Sequence, residues 1–260
     1  MKIYILCDME GISGIRYPEQ VQSANAADYE EGRALMIADV NAAVEGCFRG
    51  GATEVLVCDT HGGGGQLRLE QMDPRATYER PAQAKMMPSL DESFAGVMLL
   101  GHHAMAGTVG AFLDHTMSSA KWFEYRLNDQ PLGEIGIEAA FAGHFNVPVI
   151  LVSGDETACK EARATLGAVE TAVVKWALGR NRARCLHPSA ARQRITELAA
   201  KAVANAKGYK PFKPAVPATI QLTLYRTDYA EEYLNRPHVE RVNARTIRVK
   251  IQSLADMSRW

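Results

Sequence analysis

Apolar positions fall into short unbroken runs separated by longer stretches with helical spacing, the pattern of strands buried on both faces alternating with helices. Ile3 to Cys7 reads as a fully buried strand. From Tyr29 to Phe48 the residues Leu35, Met36, Val40, Ala43, Val44 and Phe48 recur at helical spacing until Gly50-Gly51 stops the pattern. Glu54 to Cys58 is a second β-branched run, so the first sixty residues predict a βαβ unit and a parallel sheet with a right-handed crossover. Further buried strands are predicted at Gly96 to Leu100 and Val147 to Val152. Between them, Trp122 to Leu127 reads as a strand ending in the turn Asn128-Asp129-Gln130-Pro131, and Gly133 to His144 as a helix. A helix near Glu156 to Thr165, a strand near Thr171 to Val174 and an Ala-rich helix from Pro188 to about Ala206 follow.

The texture changes at Lys210-Pro211-Phe212-Lys213-Pro214-Ala215-Val216-Pro217, whose three prolines forbid regular structure and mark a linker. Beyond it, Thr219 to Tyr225 and Thr246 to Ile251 alternate in the period-2 manner of half-exposed strands. The expected fold is α/β: a mostly parallel sheet flanked by helices over residues 1–180, with a smaller C-terminal α+β portion over 181–260. No internal repeat is visible, and the one low-complexity segment is Gly62 to Gly65.

Composition narrows the partners. With 29 Lys plus Arg against 30 Asp plus Glu the formal charge is −1. Neither the total nor any local run provides the basic excess that nucleic acid or an anionic membrane surface requires. At 47% apolar and 23% charged residues the chain is expected to bury an ordinary globular core. The opening Met1 to Asp8 holds too short an apolar run for a signal peptide, and no stretch is long enough for a transmembrane span. The five cysteines, Cys7, Cys47, Cys58, Cys159 and Cys185, are odd in number and contain no C-x-x-C pair, which fits reduced thiols in the cytoplasm.

Ligands of open α/β sheets bind beyond the carboxyl ends of the strands, and the residues found there share a chemistry. The first strand ends in Asp8-Met9-Glu10-Gly11, the second in Asp59-Thr60-His61-Gly62, and the strand near Leu100 in Gly101-His102-His103. His115 lies in Asp114-His115-Thr116, and Glu134 opens a helix. Carboxylates and imidazoles so placed are the donor set for Zn²⁺ or a similar divalent ion, and several carboxylates can hold two ions.

Each also has an ordinary reading. Asp8 and Glu10 are as easily solvated loop acids, and His61 a polar residue in a glycine-rich loop. Adjacent His102 and His103 point to opposite sides of an extended chain, so one of them joins a cluster, and spacing does not say which. His115 reads as a structural histidine or as a general acid or base near neutral pH. Glu134 suits a helix N-terminus electrostatically, and Glu138, one turn later, reads as a solvated charge. Gly62 to Gly65 lacks the spacing and the Lys-Ser/Thr of a phosphate loop, no G-x-S-x-G elbow is present, and Cys7 and Cys58 lie inside buried strands. His144, His187 and His238 read as structural.

Taken together, Asp8-Met9-Glu10-Gly11-Ile12-Ser13-Gly14, Asp59-Thr60-His61-Gly62, Gly101-His102-His103-Ala104, Asp114-His115-Thr116-Met117 and Gly133-Glu134 resemble the zinc-dependent D-aminopeptidases associated with bacterial dipeptide-transport operons. The likeness runs from Met1 to about Ile251 and includes Asn146-Val147-Pro148-Val149 and Ser153-Gly154-Asp155. The resemblance implies two Zn²⁺ per chain. Asp8 matches a bridging carboxylate, Glu10 and His103 match ligands of one zinc, His61 and Glu134 match ligands of the other, and His115 matches a catalytic histidine outside the metal sphere. It also implies a ring-shaped homo-oligomer, plausibly a decamer, acting on short peptides or aminoacyl amides. The chain departs from the family pattern at Gln66 and Glu138, where relatives commonly carry Asn, and in ending soon after Ala255-Asp256-Met257.

The resulting expectation is a di-zinc aminopeptidase that removes N-terminal, D-configured residues. Its rivals are a di-metal amide hydrolase of L or non-peptide specificity, a phosphoesterase, and a non-catalytic peptide-binding protein. Handedness and substrate size depend on pocket shape, which ligand motifs do not encode.

Overall fold

The computed structural model describes residues 1–81 and 86–259. In chain order the elements are β1 (Lys2–Cys7), α1 (Ala26–Arg49), β2 (Glu54–Asp59), β3 (Thr77–Glu79), β4 (Phe94–His102), β5 (Trp122–Leu127), β6 (Gln130–Pro131), α2 (Glu134–His144), β7 (Val149–Asp155), α3 (Glu156–Leu166), β8 (Glu170–Gly179), β9 (Arg182–Cys185), α4 (Pro188–Ala204), β10 (Ala218–Leu224), α5 (Thr227–Glu231), β11 (Val239–Arg241) and β12 (Thr246–Ile251). One sheet runs β3-β2-β1-β4-β7-β8-β9 and the other β11-β12-β10-β5-β6.

In the first sheet all pairings are parallel except the β8–β9 hairpin. Its central strand β1 is buried on both faces: Ile3, Tyr4, Ile5 and Leu6 are all fully inaccessible. Each such side chain contributes roughly 1.5–3 kcal/mol of burial. Ile3 and Ile5 pack with Met36, Val40 and Val44 of α1 and Ile195 and Ala199 of α4. Tyr4 and Leu6 face Ile135 and Ala139 of α2 and Ala158 and Ala162 of α3. Helices α1 and α4 approach closely because Gly46 lies against Thr196 O, where a Cβ would come within 2.5 Å.

The second sheet is antiparallel. One of its faces buries Tyr125, Leu127, Ile220, Leu222, Ile247 and Val249 against Ile137 and Ala140 of α2 and against Leu254 and Met257. Helix α2 is thus held between the two sheets, and every residue from Glu134 to Gly143 is buried. That explains its apolar character all the way round, which a surface helix would not tolerate.

Two expectations change. Trp122 to Leu127 is a strand as expected but belongs to the second sheet, where β5 pairs with β10. The expected division at residue 180 runs across both sheets: β9 and α4 complete the first, whereas β5 and β6 complete the second. The physical reason is that α4 carries an apolar face, Ala191, Ile195, Ala199, Ala202 and Val203, that fits α1. The Pro-rich segment contains no helix or strand from Lys210 to Pro217. No described helix is long and apolar enough to cross a membrane.

Candidate metal centre

Chain order reverses between β1 and β4. From β1 the chain builds outward to β2 and β3 on one side, then returns to β4, β7 and β8 on the other. A crevice opens at the carboxyl ends of strands at such a switch point, and the loops after β1, β2 and β4 enter it carrying Asp8, Glu10, His61 and His103. Contact between the first and third loops is direct: Asp8 N donates to Leu100 O at 2.9 Å and Gly11 N to Gly101 O at 2.7 Å. Only glycine fits there. A Cβ on Gly11 would lie 2.1 Å from His102 O, and one on Gly101, at φ +76°, would lie 2.2 Å from Asp8 O.

The glycine run after β2 wraps an internal anion. Asp59 Oδ2 accepts from the backbone N–H of Gly65 (2.8 Å), Gln66 (2.6 Å) and Leu67 (3.3 Å). The turn thereby presents His61, whose Nδ1 lies 2.9 Å from Asp8 Oδ1 and 3.2 Å from Glu10 Oε2. Its Nε2 is paired with Val21 O at 3.0 Å. His103 follows the same scheme, with Nδ1 on Ala104 O at 3.0 Å and Nε2 3.4 Å from Asp8 Oδ2 and 3.3 Å from Glu134 Oε1. So does His115, with Nδ1 on Leu113 O at 2.8 Å and Nε2 3.5 Å from Glu134 Oε1. Each imidazole spends one nitrogen on a backbone carbonyl and turns the other into the cluster, the arrangement that fixes tautomer and aim in metal-binding histidines.

All six expected site residues are therefore together. Donor atoms of Asp8, Glu10 and His103 form one group within 4.8 Å of one another, and those of His103, His115 and Glu134 form another. The first of these groups is the set that the resemblance assigns to one zinc, while the ion-pair contacts also cross between the two implied sets: His61 touches Asp8 and Glu10, and His103 touches Asp8 and Glu134. Of the two adjacent histidines, His103 is the one in the cluster. His102 points the other way, with Nε2 2.6 Å from Glu138 Oε2. Glu138 is a correction to the solvated charge expected, being only 3% exposed, because α2 is covered by sheets on both sides.

The electrostatics suit cations. Burial opposes charge on Asp8, but the neighbouring His103 and His61 imidazoles outweigh it and hold the carboxyl well below its usual range. Burial likewise opposes charge on Glu134, yet His103 and His115 bring it down to about 2. Conversely, burial depresses His61 while Glu10 and Asp8 lift it to about 12. Protons on these rings fill places that a divalent ion would take. Glu10 Oε2 and His103 Nε2 are buried with no hydrogen-bond partner among the described residues, although polar neighbours lie within 3.4 Å. Such alignment is poor for hydrogen bonds and suits donors converging on an ion between them.

His115 sits on a strained loop. Leu113 and Met117 flank it at φ 50° and 56°, a region that side chains with a Cβ rarely adopt. Met117 N donates to Glu134 Oε1 at 2.7 Å, tying that loop to the start of α2. Three supporting groups carry no signal in sequence spacing. Buried Lys175 on β8 donates to Glu10 O and Ile15 O, both at 2.7 Å, and fixes the first loop; burial pulls its amine down to about 8. Glu161 Oε2 accepts from Met105 N at 2.7 Å behind His103. Arg180, in the β8–β9 turn, lines the same cavity of about 640 Å³ as Asp8, Glu10, His61, His115, Glu134 and Glu138.

The D-aminopeptidase family profile matches residues 1–260 of this sequence. The chain belongs to the D-aminopeptidase family. A D-aminopeptidase of Bacillus subtilis (strain 168) is 38% identical over 218 residues, covering 82% of this chain and 78% of that protein. The solved structure of the Zn-dependent D-aminopeptidase DppA from Bacillus subtilis, a self-compartmentalizing protease, is similar at a TM-score of 0.94 and 32% identity. It covers 99% of this chain and 94% of that chain. The D-aminopeptidase fold thus accounts for both sheets and for the helix between them.

Proposed function

We propose that this chain is a zinc-dependent D-aminopeptidase that releases N-terminal D-residues from short peptides or aminoacyl amides. The observation that carries the reading is the meeting of Asp8, Glu10, His61, His103 and Glu134 at one sheet switch point with buried, unpartnered donor atoms. Two Zn²⁺ per chain fit this donor set. Following the family pattern, Asp8 would serve both ions, Glu10 and His103 would hold one, and His61 and Glu134 would hold the other. When bound, zinc supplies Lewis acidity that polarises a carbonyl and makes water acidic near neutral pH.

The chain's own residues supply the rest. His115 is the proton carrier: its side chain is 14% exposed against 1% for His103, so it faces the cavity while His103 is enclosed. With Nδ1 held on Leu113 O, its Nε2 is aimed to pass a proton to a departing amine. Leu113, Met117 and Val21 line the cavity and limit water around the scissile bond. Phosphate-ester hydrolysis is the weaker reading. Such sites surround their anion with several Arg or Lys donors, and Arg180 is the one permanent cation among the described lining residues.

The D preference rests on the relatives. So does assembly into a ring-shaped homo-oligomer, possibly a decamer, which suits a protein similar to a self-compartmentalizing protease. A cytoplasmic location is supported by five cysteines that are all free. The test pairs metal analysis with assays of D- and L-aminoacyl amides and short peptides, with and without added Zn²⁺. Two zinc ions per chain and D-selective release of the N-terminal residue are expected. Absence of stoichiometric metal, or activity undiminished in Asp8→Ala, overturns the metal mechanism, and equal rates for both hands remove the D label.

A further inference from the structure

Among its described residues, the cavity wall carries one permanent cation outside the proposed metal-ligand cluster. Asp8, Glu10, Glu134 and Glu138 all line it, and Arg180 is the permanent cation among its described lining residues. On the zinc-loaded reading Asp8, Glu10 and Glu134 are engaged by metal and Glu138 is paired with His102, which leaves Arg180 as the permanently charged side chain of the described lining that can meet a peptide carboxylate.

Arg180 is built to meet it. The β8–β9 hairpin turn that carries it is docked to the His115 loop by Leu113 N donating to Arg180 O at 2.8 Å. Arg180 Nε lies 3.0 Å from Asp114 Oδ1, Nη2 donates to Asp114 O at 3.0 Å, and Nη1 donates to Asn181 Oδ1 at 3.3 Å. Asp114 is fixed in turn, with Oδ2 accepting from Gly107 N at 2.7 Å. The guanidinium has five N–H donors in a rigid fork, so each terminal nitrogen keeps one beyond these contacts. With its side chain 52% exposed, Arg180 is reachable from the cavity while its orientation is held. A preorganised fork of this kind matches a carboxylate in two-point contact.

We infer that Arg180 captures the C-terminal carboxylate of the substrate, making this enzyme selective for very short peptides with a free C-terminus over amides of the same sequence. The inference rests on the aminopeptidase reading and specifies the substrate class. A dipeptide spans about 7 Å when extended. Its carboxylate therefore lies close to the scissile bond, and a cation on the loop neighbouring His115 is suitably located.

The experiment compares D-alanylglycine with D-alanylglycinamide, which share the scissile bond and differ in the terminal charge, using zinc-loaded wild type and Arg180→Met at equal metal content. The expected result is a fall in kcat/KM for the free acid of about ten-fold or more, chiefly through KM, as for loss of a charge-assisted contact. The amide should change less than two-fold. Arg180→Lys, which keeps the charge and loses the fork, should restore part of the preference. Equal losses on both peptides mean that Arg180 acts only by holding the Asp114–His115 loop and overturn the inference alone, as does no change on either. Cleavage of neither peptide by wild type overturns the aminopeptidase reading itself.

Discussion

His103 and His115 lie face to face, ring centroids 3.8 Å apart and planes within 13° of parallel, and both direct Nε2 at Glu134 Oε1. Stacking two imidazoles beside one carboxylate gives them unequal surroundings: His103 is enclosed between Asp8 and Glu134, and His115 borders the cavity. The two should therefore fail differently when removed. His103→Ala is expected to lose zinc. His115→Ala should keep its zinc content while kcat drops by about 10²–10⁴-fold, the usual range for loss of a general acid–base group. Metal content measured alongside kcat separates them, and loss of zinc from His115→Ala would make His115 a ligand.

Zinc should also hold the fold together. Removing the ions leaves Asp8, Glu10 and Glu134 crowded at the end of the sheet, so chelation should lower Tm and abolish activity. Titrating Zn²⁺ back should restore both, with a break near two equivalents. On the proposed ligand set the ions would replace protons on His61 and His103, so binding should release protons and weaken as pH falls. Calorimetric titration in buffers of different ionisation enthalpy measures that release, and a restoration complete at one equivalent would refute a two-ion centre.

The close approach of the Asp8 and Gly101 loops predicts intolerance at positions that touch no ligand. Gly101→Ala combines a Cβ 2.2 Å from Asp8 O with a backbone φ of +76°. The cost should be about 1–3 kcal/mol or more, the scale of overpacking. Denaturant midpoints should fall and zinc affinity should weaken together. Gly63→Ala, which has open space around its Cβ position, should show strain from its φ of +87° but leave the metal site in place.

Asp39 supplies a pH signature away from the metals. It is buried within α1, accepting from Ser13 N at 2.8 Å and Ser13 Oγ at 2.7 Å, with Arg192 Nε at 3.4 Å. Burial raises its carboxyl from an ordinary 3.8 to about 6, against the opposing pull of Ser13 and Arg192. The folded state thus binds this proton more tightly than the unfolded state. Its contribution to stability is fully present below about pH 4 and lost as pH rises through about 6. The difference in unfolding free energy between wild type and Asp39→Asn should change across that window by on the order of 2–3 kcal/mol. Urea midpoints at pH 4 to 7 give the profile, and parallel curves would refute the assignment.

Periodicity was enough for β1, α1, β2, β4, α2, β7, α3 and α4, whose apolar runs or helical spacing are long. It gave no notice of β3, β6, β9, β11 or α5, each five residues or fewer, in which no period can establish itself. Sheet membership was equally hidden. Trp122 to Leu127 alternates as any half-covered strand does, and only its register with Ile220 to Leu224 assigns it to the second sheet. At the site, strand ends named the acids and imidazoles, because ligand positions in such sheets follow from connectivity.

The sequence by itself placed Asp8, Glu10, His61, the His102-His103 pair and Glu134 at element ends, with His115 in a loop near them, a set whose chemistry points to divalent metal. It also determined the alternation that forces a parallel sheet. The tertiary structure decided which donors touch, that His103 and not His102 enters the cluster, and that Glu138 is buried with His102. It also placed Arg180 in the same cavity as residues 170 positions away. These outcomes depend on which surfaces cover a side chain, and α2 enclosed between two sheets is a long-range packing result that no local spacing encodes.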